Sequence, residues 1–278
     1  MKEISKNQIV EAVAKLCTDA TYHLGEDVKV ALQGALKREK SPLGKNILAE
    51  IVENFELADK ENVPMCQDTG ISVFFVELGT DVHLDCTLEE SINEGVRKGY
   101  QEGYLRKSVC DPFSRVNTGD NTPAVIHIKV VEGDKLTIEI ATKGAGSENM
   151  SAMKMLKPSQ GVEGIKELVM HTVTEGGGNP CPPIVVGIGV GGDFEMAPIL
   201  AKRSLFRKVG SDNPDPELDK LEKELKEAIN KTGIGPMGFG GTETALAVYI
   251  EARPCHIASL PVAVNIQCHA DRHKGVTL

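Results

Sequence analysis

Three short apolar runs constrain this chain most, because each one abuts a loop that carries a cysteine. Residues 71–78 follow Met65-Cys66-Gln67-Asp68-Thr69-Gly70, residues 184–190 follow Cys181-Pro182-Pro183, and residues 260–267 run into Cys268-His269-Ala270-Asp271-Arg272-His273. Runs of this length and make-up read as strands, and the glycines and prolines beside them as turns. A further strand is expected at 245–252. Residues 124–131 and 135–142 flank Glu132-Gly133-Asp134 and are expected to pair as a β-hairpin.

Around these runs the period is helical. Ile9, Val10, Val13, Leu16 and Cys17 make one stripe; Val28, Leu32, Ala35 and Leu36 a second; and Ile47, Leu48, Ile51, Val52 and Phe55 a third. The first 60 residues therefore read as three helices leading into the Cys66 loop. Further helices are expected at 88–104, 162–174, 194–206 with Asp193 as N-cap, and 217–231. No repeat, low-complexity tract or linker divides the chain. The expected fold class is α+β, a single domain over residues 1–278 with a mixed sheet and a helical N-terminal region.

Two glycine-rich stretches raise ligand-binding readings. Gly189-Val190-Gly191-Gly192-Asp193 follows a strand, but the spacing departs from GxGxxG and no acidic residue ends a following strand, so a dinucleotide site is not expected. Lys143-Gly144-Ala145-Gly146-Ser147-Glu148-Asn149 has the small residues that let backbone N–H groups approach an anion, with a helix start expected behind them.

Composition excludes some tasks. Net charge is −9, tryptophan is absent and aromatics are 4% of the chain, which argues against nucleic acid as a partner. No apolar run approaches the ~20 residues of a membrane helix, and the first residues lack a signal-peptide core. A cytoplasmic protein is expected, one that does not act at a membrane. There the seven cysteines, an odd number, read as ligands, reactive thiols or core residues rather than disulfides.

Cys17 and Cys86 fall inside predicted elements and read as core. Cys110 and Cys255 lie in loops without polar neighbours of note. Cys66, Cys181 and Cys268 share a setting at strand-edge loops. Three thiolates suit either zinc with a histidine or an iron–sulfur cluster. For zinc no close C-x₂-C pair exists, although the four-residue spacing of His269 and His273 would put both on one helical face. A cluster with three protein thiolates leaves one iron open as a Lewis acid. The chemistry that suits such a site is addition or removal of water across a carbon–carbon bond. A redox iron–sulfur protein with a fourth protein ligand is the other reading.

The stretches MCQDTG (65–70), LRKS (105–108), NTGDNTP (117–123), KGAGSEN (143–149), CPP (181–183), GIGVGGDFEMAPILAKRSL (187–205), GPMGFGGTETAL (235–246) and NIQCHADRH (265–273) together resemble the α subunit of two-subunit, iron–sulfur class I fumarases and L(+)-tartrate dehydratases. They equally resemble the N-terminal domain of single-chain class I fumarases. The resemblance implies a [4Fe–4S] cluster on Cys66, Cys181 and Cys268. It implies substrate contacts from Gln67, Asp68, Arg106, His256 and Gly144 or its neighbour Gly146, with Asp68 and His256 as the catalytic candidates. The substrate would be a four-carbon dicarboxylate: fumarate hydrated to L-malate, or alternatively L(+)-tartrate dehydrated to oxaloacetate. The family's remaining substrate arginines, a lysine and a catalytic threonine lie beyond the matched region, so a β subunit is expected to complete the pocket, in an α2β2 or related assembly.

Overall fold

The computed structural model describes residues 2–278. In chain order they form β1 (Lys2–Ile4), α1 (Lys6–Tyr22), α2 (Glu26–Arg38), α3 (Pro42–Glu61), β2 (Ile71–Gly79), β3 (Val82–Leu84), α4 (Leu88–Glu102), β4 (Val125–Val131), β5 (Leu136–Lys143), the single turn α5 (Ala145–Glu148), β6 (Ala152–Leu156), α6 (Gly161–Gly176), β7 (Ile184–Gly192), α7 (Met196–Ser204), α8 (Pro216–Asn230), β8 (Ala245–Cys255), β9 (Leu260–Gln267) and β10 (His273–Thr277). The fold class is α+β, and the three leading helices form as their apolar stripes predict. Among the described residues no helix is long and apolar enough to cross a membrane. The chain groups into two compact units, Met1–Gly25 with Phe55–Gly144 and Arg272–Leu278, and Glu26–Asn54 with Ala145–Asp271.

The first unit is built on a four-stranded sheet of order β10-β5-β2-β4. Its helices α1 and α4 supply Ile9, Val13 and Cys17, and Ile92, Val96 and Tyr100, to a core shared with Phe74, Ile138 and Ile140. Each such aliphatic side chain contributes about 1.5–3 kcal/mol by leaving water. A capping box starts α1: the Ser5 N–H donates to Gln8 Oε1 at 2.9 Å, and Ser5 Oγ accepts from the Gln8 N–H at 3.4 Å.

The hairpin expected from 124–142 does not form. β4 and β5 lie on opposite sides of β2, β4 parallel to it (Val73↔Val125) and β5 antiparallel (Ile71↔Lys143). The reason lies in β2 itself. Val73, Phe74 and Val76 are all buried, so both of its faces are covered and an interior position removes it from water. The residues between β4 and β5 cross the end of β2, where the Asp81 N–H donates to Gly133 O at 2.8 Å and the Gly79 N–H to Lys135 O at 2.9 Å. β4 is left as an edge strand with Val125, Ile128 and Val130 exposed.

The second unit has a sheet of order β6-β9-β7-β8, with β7 parallel to β8 and antiparallel to β9. Val262 and Val264 pack with α6 and α8 on one face, through Val169, Val173, Leu225 and Ile229. Ala263 packs with Ala197 and Ala201 of α7 on the other. Here the glycines of β7 find their purpose. A Cβ at Gly187 would stand 2.2 Å from Ala201 O, and one at Gly189 2.0 Å from Ala197 O. GIGVGG is thus a seat for a helix backbone, not a nucleotide loop. Asp193 Oδ1 accepts from Glu195 N at 3.1 Å and Met196 N at 2.8 Å in the turn ahead of α7, but the helix starts two residues later than expected, so its N-cap position falls on Glu195 rather than Asp193.

Candidate active site

In the first unit the loop before β2 is fixed by its own backbone. Gly70 has φ +73°, and a side chain there would meet the Lys143 backbone at 2.8 Å, so the turn into the strand requires glycine. Tyr100, fully buried on α4, donates to the carbonyls of Thr69 and Gly70, each at 3.0 Å. Burial holds its phenol protonated, well above the usual tyrosine value. Asn121, also fully buried, donates through Nδ2 to Gly70 O at 3.3 Å and accepts the Ser108 N–H at 2.7 Å.

On this support Asp68 collects cationic and N–H donors. Its Oδ1 accepts from Arg106 Nη2 at 3.2 Å and from the Gly70 N–H at 3.0 Å. Its main-chain carbonyl accepts from Arg272 Nη1 at 2.8 Å. Thr69 Oγ1 donates to Arg106 O at 2.8 Å, which fixes the arginine backbone while its side chain stays exposed. Gly144, at the end of β5, lies against the same carboxylate: a Cβ there would stand 3.1 Å from Asp68 Oδ2 and 3.6 Å from Arg272 Nη2. The neighbouring Gly146 faces Asn179 O instead. The glycine-rich stretch opens only a single helical turn, too short for the helix dipole expected behind it. Cys66 is half-buried, with its Sγ accepting from the Asp68 N–H at 3.4 Å, and Gln67 is exposed beside it. The first unit thus brings Cys66, Gln67, Asp68, Arg106 and Gly144 together.

The second unit brings together Cys181 and Cys268. Cys181 precedes β7 and Cys268 follows β9, and the antiparallel register Val185↔Gln267 puts both at one sheet edge. His269 closes the pair: its N–H donates to Cys181 O at 3.3 Å and its Nδ1 lies 3.0 Å from the same oxygen. Cys181 has φ 58°, a left-handed backbone that costs a non-glycine residue energy and gathers at functional sites. His256 is elsewhere. It lies exposed in the turn between β8 and β9, its Nδ1 accepting from the Ala258 N–H at 3.1 Å. The eight residues of β9 separate it from Cys268, roughly 26 Å along the strand.

His269 and His273 do not share a helical face, because 269–272 is not helical and His273 opens β10. Among the described residues no three His, Cys, Asp or Glu side chains gather as they would around a single metal ion. An iron–sulfur cluster would take its ligands from cysteine thiolates. The donor chemistry of Cys66, Cys181 and Cys268 fits that group: no disulfide engages any of them, each is half-buried at a strand end, and Cys66 sulfur already accepts an amide N–H. Cys17 does not fit, since burial pushes its thiol up to about 12. Cys86 was expected inside an element and instead sits half-buried in the bend before α4.

Arg272, Tyr100 and Asn121 were not among the residues expected at the site. Two of the three carried a signal. Asn121 lies in a run of turn-formers and adopts φ 63°, a conformation asparagine tolerates. Arg272 follows an apolar strand within a run of charged residues, yet is 2% exposed. Tyr100 was hidden within the apolar stripe of its helix.

Fold and loops together define an α+β chain whose strand-end loops carry thiols and a carboxylate–guanidinium pair. The sequence of the family described as "Fumarate hydratase (Fumerase)" matches residues 10–277, and the chain belongs to this family, among hydro-lyases of the fumarase and tartrate dehydratase kind. It is 49% identical over 273 residues, 95% of each chain, to a Methanocaldococcus jannaschii protein named "Putative L(+)-tartrate dehydratase subunit alpha". It is 32% identical over 275 residues to the "L(+)-tartrate dehydratase subunit alpha" of Escherichia coli K12, covering 98% of this chain and 91% of the relative.

Proposed function

We propose that this chain is the α subunit of an iron–sulfur hydro-lyase that hydrates fumarate reversibly to L-malate. The observation that carries this reading is the pairing of Asp68, on the loop that holds Cys66, with Arg106 from the loop after α4, in a chain of the fumarate hydratase family. Hydroxide and a proton add across the double bond, and no electron changes hands.

Cys66, Cys181 and Cys268 would hold a [4Fe–4S] cluster. When bound, it supplies a Lewis-acidic iron without a protein ligand, suited to the substrate hydroxyl. Arg106 grips one substrate carboxylate with two parallel N–H bonds. Asp68 orients the hydroxyl or moves a proton at its carboxylate, and Gln67 offers its amide beside it. Gly144 leaves room for the substrate against Asp68. His256 stands at the far end of β9 from Cys268, so it serves a site formed with another copy of the chain. That placement favours an assembly with two α chains, and the "subunit alpha" names of the relatives support a β partner. A cytoplasmic α2β2 enzyme is the assembly we propose.

The names of the relatives favour a second reading, dehydration of L(+)-tartrate to oxaloacetate. The two reactions are distinguished by reconstituting this chain anaerobically with its β partner and assaying fumarate, L-malate and L(+)-tartrate. Faster turnover of fumarate supports the first reading, and turnover of tartrate alone assigns the second. Turnover of neither, with a cluster spectrum indifferent to dicarboxylates, would leave a redox protein.

A further inference from the structure

Asp68 is held by two arginines of opposite exposure. The Arg106 side chain is 55% exposed and reaches Oδ1 from the solvent side. Arg272 is 2% exposed and reaches the main-chain carbonyl from within the unit. Its own carbonyl accepts the Thr142 N–H at 3.0 Å, which ties it to the end of β5 that leads into Gly144. Its Nε is buried with no hydrogen-bond partner. A buried guanidinium is costly, and one bond to a neutral carbonyl does not offset that cost. The Asp68 carboxylate borders the same space as the guanidinium: a Cβ at Gly144 would stand 3.1 Å from Asp68 Oδ2 and 3.6 Å from Arg272 Nη2.

We infer that Arg272 is a positioning residue for the proposed reaction, fixing the Asp68 backbone so that its carboxylate keeps its place when Arg106 leaves it for the substrate. This rests on the hydro-lyase reading above. Without substrate, Arg106 and Asp68 satisfy each other. An arriving dicarboxylate takes the Arg106 guanidinium, whose backbone stays anchored by Thr69. Asp68 then keeps the Gly70 N–H and Arg272, and so keeps its place. Gly144 is the complement of this device, since a methyl group there would crowd the Asp68 carboxylate at 3.1 Å.

The test uses the reconstituted holoenzyme and compares wild type with Arg272→Lys, Arg272→Gln, Gly144→Ala and Arg106→Lys. It records kcat, KM for fumarate, iron and sulfide content, and thermal midpoint. A displacement of about 1 Å in a reacting group costs on the order of 100-fold in rate. Arg272→Lys should therefore lower kcat ~10- to 100-fold, with KM and cluster content unchanged. Arg272→Gln should fall further, and Gly144→Ala should lower kcat with no change of charge. Arg106→Lys should raise KM instead. The inference is overturned if Arg272→Lys keeps wild-type kcat, or if its loss of kcat merely follows lost iron or a lowered midpoint. Should both Arg272 variants fail to fold, Gly144→Ala decides, and an unchanged kcat there overturns it. Wild-type enzyme inactive on every dicarboxylate would remove the hydro-lyase reading and this inference with it, whereas an active wild type with indifferent variants removes the inference alone.

Discussion

Arg106 meets Asp68 at 3.2 Å across a loop that both residues leave largely open to solvent on the arginine side. A pair so exposed adds little to folding, about 0–1 kcal/mol. Its value lies in what can replace the carboxylate. Arg106→Lys should leave the thermal midpoint within about a degree or two, but lose a two-bond grip worth about 1.5–3 kcal/mol. KM for the dicarboxylate then rises roughly 10- to 100-fold. Steady-state kinetics beside a thermal melt checks both halves, and an unchanged KM would remove Arg106 from the substrate.

The cysteines differ in what their surroundings allow. Cys181→Ser should lose iron, sulfide and turnover together. Cys17→Ser should keep all three, because the Cys17 thiol is fully buried among α1, α4 and the sheet and is held protonated there by burial. Metal and sulfide analysis of both variants after identical anaerobic reconstitution decides the matter, and equal losses would refute the assignment of ligands.

Glu39 makes a pH-dependent contribution to stability. It is 1% exposed, and its carboxylate accepts the N–H groups of Thr242, Glu243, Lys40 and Ser41 at 2.7–3.0 Å. Burial pushes its pKa up, but the backbone donors from Ser41, Thr242, Glu243 and Lys40 together outweigh it and hold it below the usual glutamate value. A depressed folded value contributes stability that is present above the unfolded pKa, about 4.3, and is lost as pH falls through the folded one. Glu39→Gln should cost about 2 kcal/mol at neutral pH and show a flatter loss of stability in acid. Urea melts of both proteins at neutral pH and near pH 4 test this, and parallel acid losses would contradict it.

Gly189→Ala should destabilise the second unit by about 2 kcal/mol or more, since the added methyl would stand 2.0 Å from Ala197 O. Gly133→Ala meets nothing within 4 Å, but has φ +114°, so its cost comes from backbone strain alone. Denaturant midpoints of the two variants separate steric from conformational cost.

Much of this is legible in the sequence itself. The stripes of α1, α2 and α3 and the apolar runs of β2, β7 and β9 named their elements, because period and propensity agree there. The pairing of β4 and β5 was not legible. A three-residue turn is a local signal, and the insertion of β2 between them is decided by burial on both of its faces. The site divides in the same way. Cys66, Asp68 and Arg106 stand in polar loops where their chemistry shows, and Asp68 and Arg106 meet as a pair. His256 is fixed by its sequence distance from Cys268, which says nothing of a strand holding the two apart. Arg272 is not legible as a site residue, because a charged residue ordinarily reads as surface and only its burial shows otherwise.

β4 has a last consequence for handling this chain. It ends its sheet with Val125, Ile128 and Val130 exposed, and Lys129 is the one charge along it. Such an edge recruits further strands, and a lone lysine is the kind of gatekeeper that prevents it. Preparations of the wild-type chain should stay monodisperse far longer than those in which Lys129 is replaced by valine, whose loss to insoluble, strand-added material light scattering would register within hours.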